Sequence, residues 1–189
     1  MSMLKTVEGF GQWVAFAGFK NVCVGEVNQF LNRFRQIGGV TAVQFFDAGL
    51  VAGWEHLYFS VLNSLKAFES GTNISKSLSV ECLLFASAQG QISFAFELIG
   101  VKKESSQVGV VVVAGGEKEA GRALSEVSAS IGGKRDDSIL ELSDEKIPRI
   151  RRLFGISDVE LGATRGSSGR KKALSDLVIE HVALLAVRR

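Results

Sequence analysis

The chain has 189 residues, 46% of them hydrophobic and 13 of them Phe, which is enough apolar material for one domain with a real core and excludes the composition of a disordered chain. Its apolar runs, residues 110–114 and 83–86 among them, fall far short of the ~20 residues that span a bilayer. Net charge is only +2, yet residues 1–145 carry 12 Lys and Arg against 16 Asp and Glu, whereas residues 146–189 carry 10 against 4. A basic end of this kind points to an anionic partner or to solvated helix faces.

Cys23 and Cys82 both lie in apolar surroundings and read as free thiols rather than a disulfide, which fits a reducing compartment. The first residues show no apolar run ahead of a small-residue cleavage site, so the expected location is cytoplasmic.

In chain order, residues 12–19 read as a half-buried strand rich in Trp, Val and Phe. Residues 26–37 place Val27, Phe30, Leu31 and Phe34 at helical spacing, ended by Gly38-Gly39. Residues 40–46 form a second strand. Residues 51–70 form the clearest amphipathic helix, with Gly71 where a C-terminal cap belongs. A helix opening near 73–75 and running to about 87 has almost no polar face and should be central. Residues 91–99 form a shorter helix, 108–113 a strand buried on both faces, and 117–131 a helix. Residues 138–142 read as a strand, and 144–154 as a basic amphipathic helix with Pro148 in its first turn. Residues 162–172 read as a flexible basic loop, and 173–187 as the last helix. The expected fold is mixed α/β, of α+β type: one domain over residues 1–189 with a small central mixed sheet packed by about seven helices, helix outweighing strand.

No catalytic constellation emerges. The strand, Gly115-Gly116 and helix near 110–123 suggest a phosphate loop, but Arg122 and Ala123 stand where Lys and Ser/Thr would be required, and Glu117 and Glu119 would repel phosphate. His56 and His181 are far apart in sequence and lack metal-ligand spacing. His56 reads as an edge or second-layer residue, and His181 as partly buried. A Cys–His pair would have to be assembled by the fold. Asp47, directly after a buried strand, suits a capping role. No metal or other cofactor is called for.

Residues 71–77, Gly-Thr-Asn-Ile-Ser-Lys-Ser, are different. They lead into the buried helix, whose unpaired N–H groups attract anions. Asn73, Ser75 and Ser77 add hydrogen-bonding groups, Lys76 adds charge, and Ile74 is an apolar residue able to stack on a base. Ordinary capping, with Ile74 as a hydrophobic staple, explains the same residues.

Residues 44–92 carry a more specific pattern. Gln44-Phe-Phe-Asp-Ala48, Ala52-Gly-Trp-Glu-His-Leu57, Lys66-Ala-Phe68, Gly71-Thr-Asn-Ile-Ser75, Ser77-Leu78, Glu81, Leu84, Ala86-Ser87 and Gln91-Ile92 together resemble the Cgi/TPRKB-type subunit of the KEOPS complex. Weaker similarity continues through 110–113, Leu153-Phe-Gly-Ile-Ser157 and the last helix. The resemblance implies a non-catalytic subunit. It would bind the atypical KEOPS kinase/ATPase directly, meet the synthase only through that kinase, and capture the tRNA 3′ CCA end in support of threonylcarbamoyladenosine modification. It carries tRNA binding onto Asn73, Ile74, Ser75 and Ser77, with Lys66 and Lys76 as phosphate contacts, and kinase binding onto Leu177, Val178, His181 and Leu184. The family often has a basic residue just before the Gln-Ile pair, where this chain has Ala88-Gln89-Gly90. Trp54 also replaces a commonly polar position. These departures allow RNA affinity to shift toward the basic segments 149–152 and 170–172. The alternative is a purely protein-binding kinase regulator without RNA contact.

Overall fold

The computed structural model describes residues 3–164 and 169–188. Strand β1 (Met3–Val7) runs through Glu8-Gly-Phe-Gly11 into β2 (Gln12–Lys20), and Gly9 and Gly11 take the left-handed backbone that this tight reversal demands. There follow α1 (Val27–Asn32), β3 (Ala42–Asp47), a 3-10 turn (Ala48–Leu50), α2 (Trp54–Ser70), α3 (Leu78–Ser87) and α4 (Ile92–Ile99). Next come β4 (Gln107–Ala114), α5 (Glu117–Ser130), β5 (Lys134–Arg135) and a second 3-10 turn (Asp137–Leu140). The chain closes with α6 (Ile147–Phe154), α7 (Asp158–Thr164) and α8 (Gly169–Arg188). The mixed α/β fold class, helix outweighing strand, is as the sequence implies.

The sheet order is β1-β2-β4-β3, with β5 taking up the edge of β2 beyond β1. Among the described residues every pairing is antiparallel, so the sheet is not mixed as expected. The reason is that β1 and β2 form a hairpin and no right-handed crossover sets two neighbours parallel.

Strands β2 and β4 sit in the middle and are buried on both faces. Val14 and Phe16 of β2 and Val111 and Val113 of β4 face a core completed by α2, α3 and α4. Ala15, Ala17 and Phe19, with Val108, Val110 and Val112, face a second core made with α5 and the α1 region. Residues 12–19 are therefore more deeply buried than a half-buried strand. A third cluster joins α6, α7 and α8 through Ile150, Phe154, Leu161, Leu174 and Val178. Helix α8 then packs back through Val182 and Leu185 onto Ala67 of α2 and Phe85 of α3.

Three expected elements differ. The strand expected at 138–142 is the 3-10 turn Asp137–Leu140, because Asp136 caps it: its carboxylate accepts from the N–H of Ser138 at 3.1 Å. Local side-chain capping outweighs the Ile/Leu alternation there. Helix α1 stops at Asn32 rather than 37, and looser turns hold Phe34 in the core against Phe30 and Phe45. The expected flexible loop 162–172 is helical at both ends, and its residues 165–168 lie outside the described residues. Its first part is nucleated by a capping box. The N–H of Ser157 donates to Glu160 Oε2 at 2.8 Å, and the N–H of Glu160 donates to Ser157 Oγ at 3.2 Å.

The 3-10 turn lies so close over β2 that only Gly fits at position 18. A Cβ there would stand 2.5 Å from Ile139 Cγ1 and 2.6 Å from the Asp136 carbonyl oxygen. The Asp136 N–H also donates to the Gly18 carbonyl, and the Gly18 N–H to Asp137 Oδ1. The Gly18→Ala variant should lose about 3 kcal/mol of stability by urea unfolding. Gly121→Ala, in open space on α5, should gain up to about 1 kcal/mol.

Candidate nucleic-acid interface

The groups most able to do chemistry are turned to structural use. His56 is fully buried rather than at an edge. Its Nδ1 accepts from the N–H of Ala52 at 3.2 Å and its Nε2 donates to the Ala86 carbonyl at 2.8 Å, which fixes the neutral tautomer. Burial drives its pKa down to about 4, with the Lys146 charge adding to the effect. Burial raises the Cys82 thiol to about 12. The other thiol, Cys23, is exposed. Lys146, read from sequence as part of a basic helix face, turns inward. Its Nζ donates to the carbonyls of Val51 at 3.3 Å, Glu141 at 2.9 Å and Ile139, and burial lowers it to about 8. It ties the turn before α6 to the start of α2. Asp47 caps the first 3-10 turn, accepting from the N–H of Gly49 at 2.9 Å. Among the described residues no group of three or more His, Cys, Asp and Glu is arranged to hold a metal ion.

Residues 73–77 form a turn stitched by its own side chains. Asn73 Nδ2 donates to the Ser75 carbonyl at 3.0 Å, and the Ser77 N–H donates to Ser75 Oγ at 3.1 Å. Its anchor comes from inside the protein. Glu81, fully buried in α3, accepts from the N–H of Ser75 at 2.8 Å and of Ile74 at 3.3 Å. A carboxylate within an otherwise apolar helix requires such donors. The N–H groups of residues 74, 75 and 77 are thereby taken, leaving those of Leu78–Val80, in the first turn of α3, without partners inside the helix. Neither Asn73 nor Ser75 acts as the helix cap; that position is Ser77, whose hydroxyl pairs instead with Ser79 Oγ at 2.8 Å.

Ile74 is not a buried staple. It is 44% exposed, which forgoes about 1 kcal/mol of hydrophobic stabilisation. Its Cδ1 lies beside Gly90, in the turn between α3 and α4, and the neighbouring Ile92 and Phe94 are exposed as well. Lys66, on the last turns of α2, and Lys76 are exposed. The structure thus gathers Asn73, Ile74, Ser75, Lys76 and Ser77 into one turn, with the Gly90 corner against Ile74. Sequence reasoning missed Glu81 as organiser, although a lone acid in an apolar helix was the signal for it.

The residues carried onto kinase binding divide. Leu177 and Val178 are buried in the α6–α7–α8 cluster and serve the chain's own packing. His181, its ring 6.0 Å from Phe154, and Leu184 are half-buried. Ala183 and Val187 are exposed beside Leu184 at helical spacing, so the outward stripe of α8 is centred one turn later than expected.

The profile of the family described as "Kinase binding protein CGI-121" matches residues 19–186. The chain belongs to the CGI-121 family. It is also 31% identical over 146 residues to the regulatory protein Cgi121 of Methanocaldococcus jannaschii, spanning 77% of this chain and 84% of that protein. A regulatory, kinase-binding role is therefore the family's description, and the half-buried end of α8 is a surface on which to look for it.

Two measurements test the site's construction. Glu81→Ala should cost about 2 kcal/mol by leaving two buried-side donors unpaired, and hydrogen exchange at the amides of Ile74 and Ser75 should accelerate more than elsewhere in α3. For His56, the folded pKa of about 4 lies below the ordinary 6.5. Its contribution is whole above pH 6.5 and declines as pH falls toward 4, a loss of about 3 kcal/mol. Urea unfolding across this window should show that slope in the wild type and a shallower one in His56→Gln.

Proposed function

We propose that this protein is a non-catalytic KEOPS subunit, acting in the cytoplasm, that binds the atypical kinase/ATPase and captures the 3′ CCA end of tRNA. The synthase subunit is reached only through that kinase. The observation that carries the RNA half of this reading is Ile74: an exposed apolar side chain presented on a turn that a buried carboxylate holds rigid. Such a turn offers a flat apolar surface to an unpaired base while Asn73, Ser77 and the backbone around them offer hydrogen-bonding groups. Lys66 and Lys76 supply salt-sensitive attraction to the phosphates. The basic stretches at 149–152 and 170–172 add to it, although Arg151 is engaged by Asp158 at 2.7 Å and Lys171 by Asp144 at 3.0 Å. The kinase half rests on the outward stripe of α8, with His181 and Leu184 at its centre.

Binding of tRNA with and without its terminal CCA tests the first half. Wild type should lose at least tenfold in affinity when the CCA is removed, and Ile74→Glu should bind both forms equally weakly. Equal binding of the two forms by wild type would leave only the protein-binding regulator. For the second half, Leu184→Arg should abolish co-purification with the kinase while leaving RNA binding intact.

A further inference from the structure

Strand β3 ends the sheet on its side. It pairs with β4, and beyond it only the single bridge from Phe46 to Gly100 is found among the described residues. From Phe45 back to Val40 the open edge lines a groove of about 490 Å³. An edge strand turns alternate backbone N–H and C=O groups away from its neighbour, where a further strand can pair with them. Both cores are left incomplete at this same edge. Val43 stands opposite Val112, which enters the core made with α5, and with Leu31, Ile37 and Val40 it lies half-buried on that side. Ala42 stands opposite Val113, which enters the other core, and on that face Val80 of α3 and Phe96 of α4 are half-buried. Leu31, Ile37, Val40, Val43, Val80 and Phe96 all line the groove.

An apolar wall on each face of an open sheet edge is the complement of a strand. A strand laid beside β3 sends successive side chains to opposite faces, so one set meets the Leu31 and Ile37 wall and the other meets Val80 and Phe96. Buried on both faces, it has to be apolar at nearly every position. A helix presents one apolar stripe and reaches one wall only, and a nucleic-acid backbone carries no amide ladder to match the edge. Charge adds a direction. Arg35 is exposed at the groove and has no ion pair among the described residues, and no described Asp or Glu lines the groove.

We propose that β3 is a docking edge for an extended segment of a partner protein, a run of about five apolar residues with an acidic residue at one flank to meet Arg35. The segment adds a strand outside β3 and completes both cores. No described residue of α8 lines the groove, so this contact is additional to one made on the α8 stripe. It holds whether or not RNA is captured at Ile74.

The test immobilises the full chain and selects on it from a phage-displayed library of random peptides about twelve residues long. Enriched peptides should carry a run of about five apolar residues, Val and Ile foremost, with Asp or Glu at one flank. One such peptide, synthesised with a fluorophore, is then measured by anisotropy. Ile37→Lys and Val80→Lys, with their thermal midpoints checked, should each weaken its binding about tenfold. Arg35→Glu, on the surface, should weaken it about fivefold and recover when the peptide's acid is replaced by Lys. Amide hydrogen exchange at residues 41–45 should slow on binding, the mark of an added strand. No enrichment, enrichment of apolar residues at helical spacing, or protection elsewhere than in β3 overturns the proposal and leaves RNA capture standing. Dimerisation of the chain with these same amides protected assigns the edge to a second copy, and their protection by a short RNA ending in CCA assigns it to nucleic acid; either result overturns the proposal.

Discussion

Strands β2 and β4 have no polar face. Once they pair, each side of the sheet must be covered completely, since their alternating Val, Ala and Phe side chains enter two separate cores. That requirement dictates the position of α3, which packs against β3 and between α2 and α4 and has to be apolar on nearly every side. An all-apolar helix, however, cannot present a surface to a partner. The chain resolves the conflict at the ends of α3, where the turn before it and the turn after it meet through Ile74 and Gly90. The candidate interface is a consequence of the central strands because it is the exposed end of the layer they demand.

Three buried ionisable groups convert that packing into fixed turns. Glu81 draws the Ile74–Ser75 backbone inward, His56 links the start of α2 to the last turn of α3, and Lys146 gathers three carbonyls at the entry to α6. Each makes hydrogen bonds to backbone groups. These bonds tie the turns they serve to the packed core, so an incoming ligand finds them already ordered.

Most of this architecture was legible from sequence because long apolar periodicities, such as those of α2, α5 and α8, are set by burial that repeats over several turns. What escaped was local. The hairpin strand β1 has only five residues, and Glu8-Gly-Phe-Gly11 was the available sign of it. The Asp136-Asp-Ser138 cap reversed the reading of 138–142, because one side-chain bond to the backbone outweighs a short alternation. At the site, the polar turn 73–77 stood out from its composition, but its exposure did not: whether Ile74 is a staple or a platform depends on Glu81 pulling the backbone in while the side chain turns out. Leu177 and Val178 show the converse limit. A helix that is apolar on more than one face does not declare which face is spent on its own core.

The division of surfaces follows from these placements. The Ile74 turn is built from α3 and its flanking loops, whereas the outward stripe of α8 lies on the last helix, which the rest of the molecule holds through α2, α3, α6 and α7. Two ligands engaging them would compete for no shared side chain, so on the proposed function a kinase could stay docked on α8 while RNA enters or leaves the turn. One route of coupling between them is α3, since Phe85 touches the α8 cluster and Glu81, one helical turn earlier, holds the Ile74–Ser75 backbone. A helix packed on nearly all sides moves as a unit. Influence carried along that route should therefore appear as a small shift of α3, felt first at the hydrogen bonds from Ile74 and Ser75.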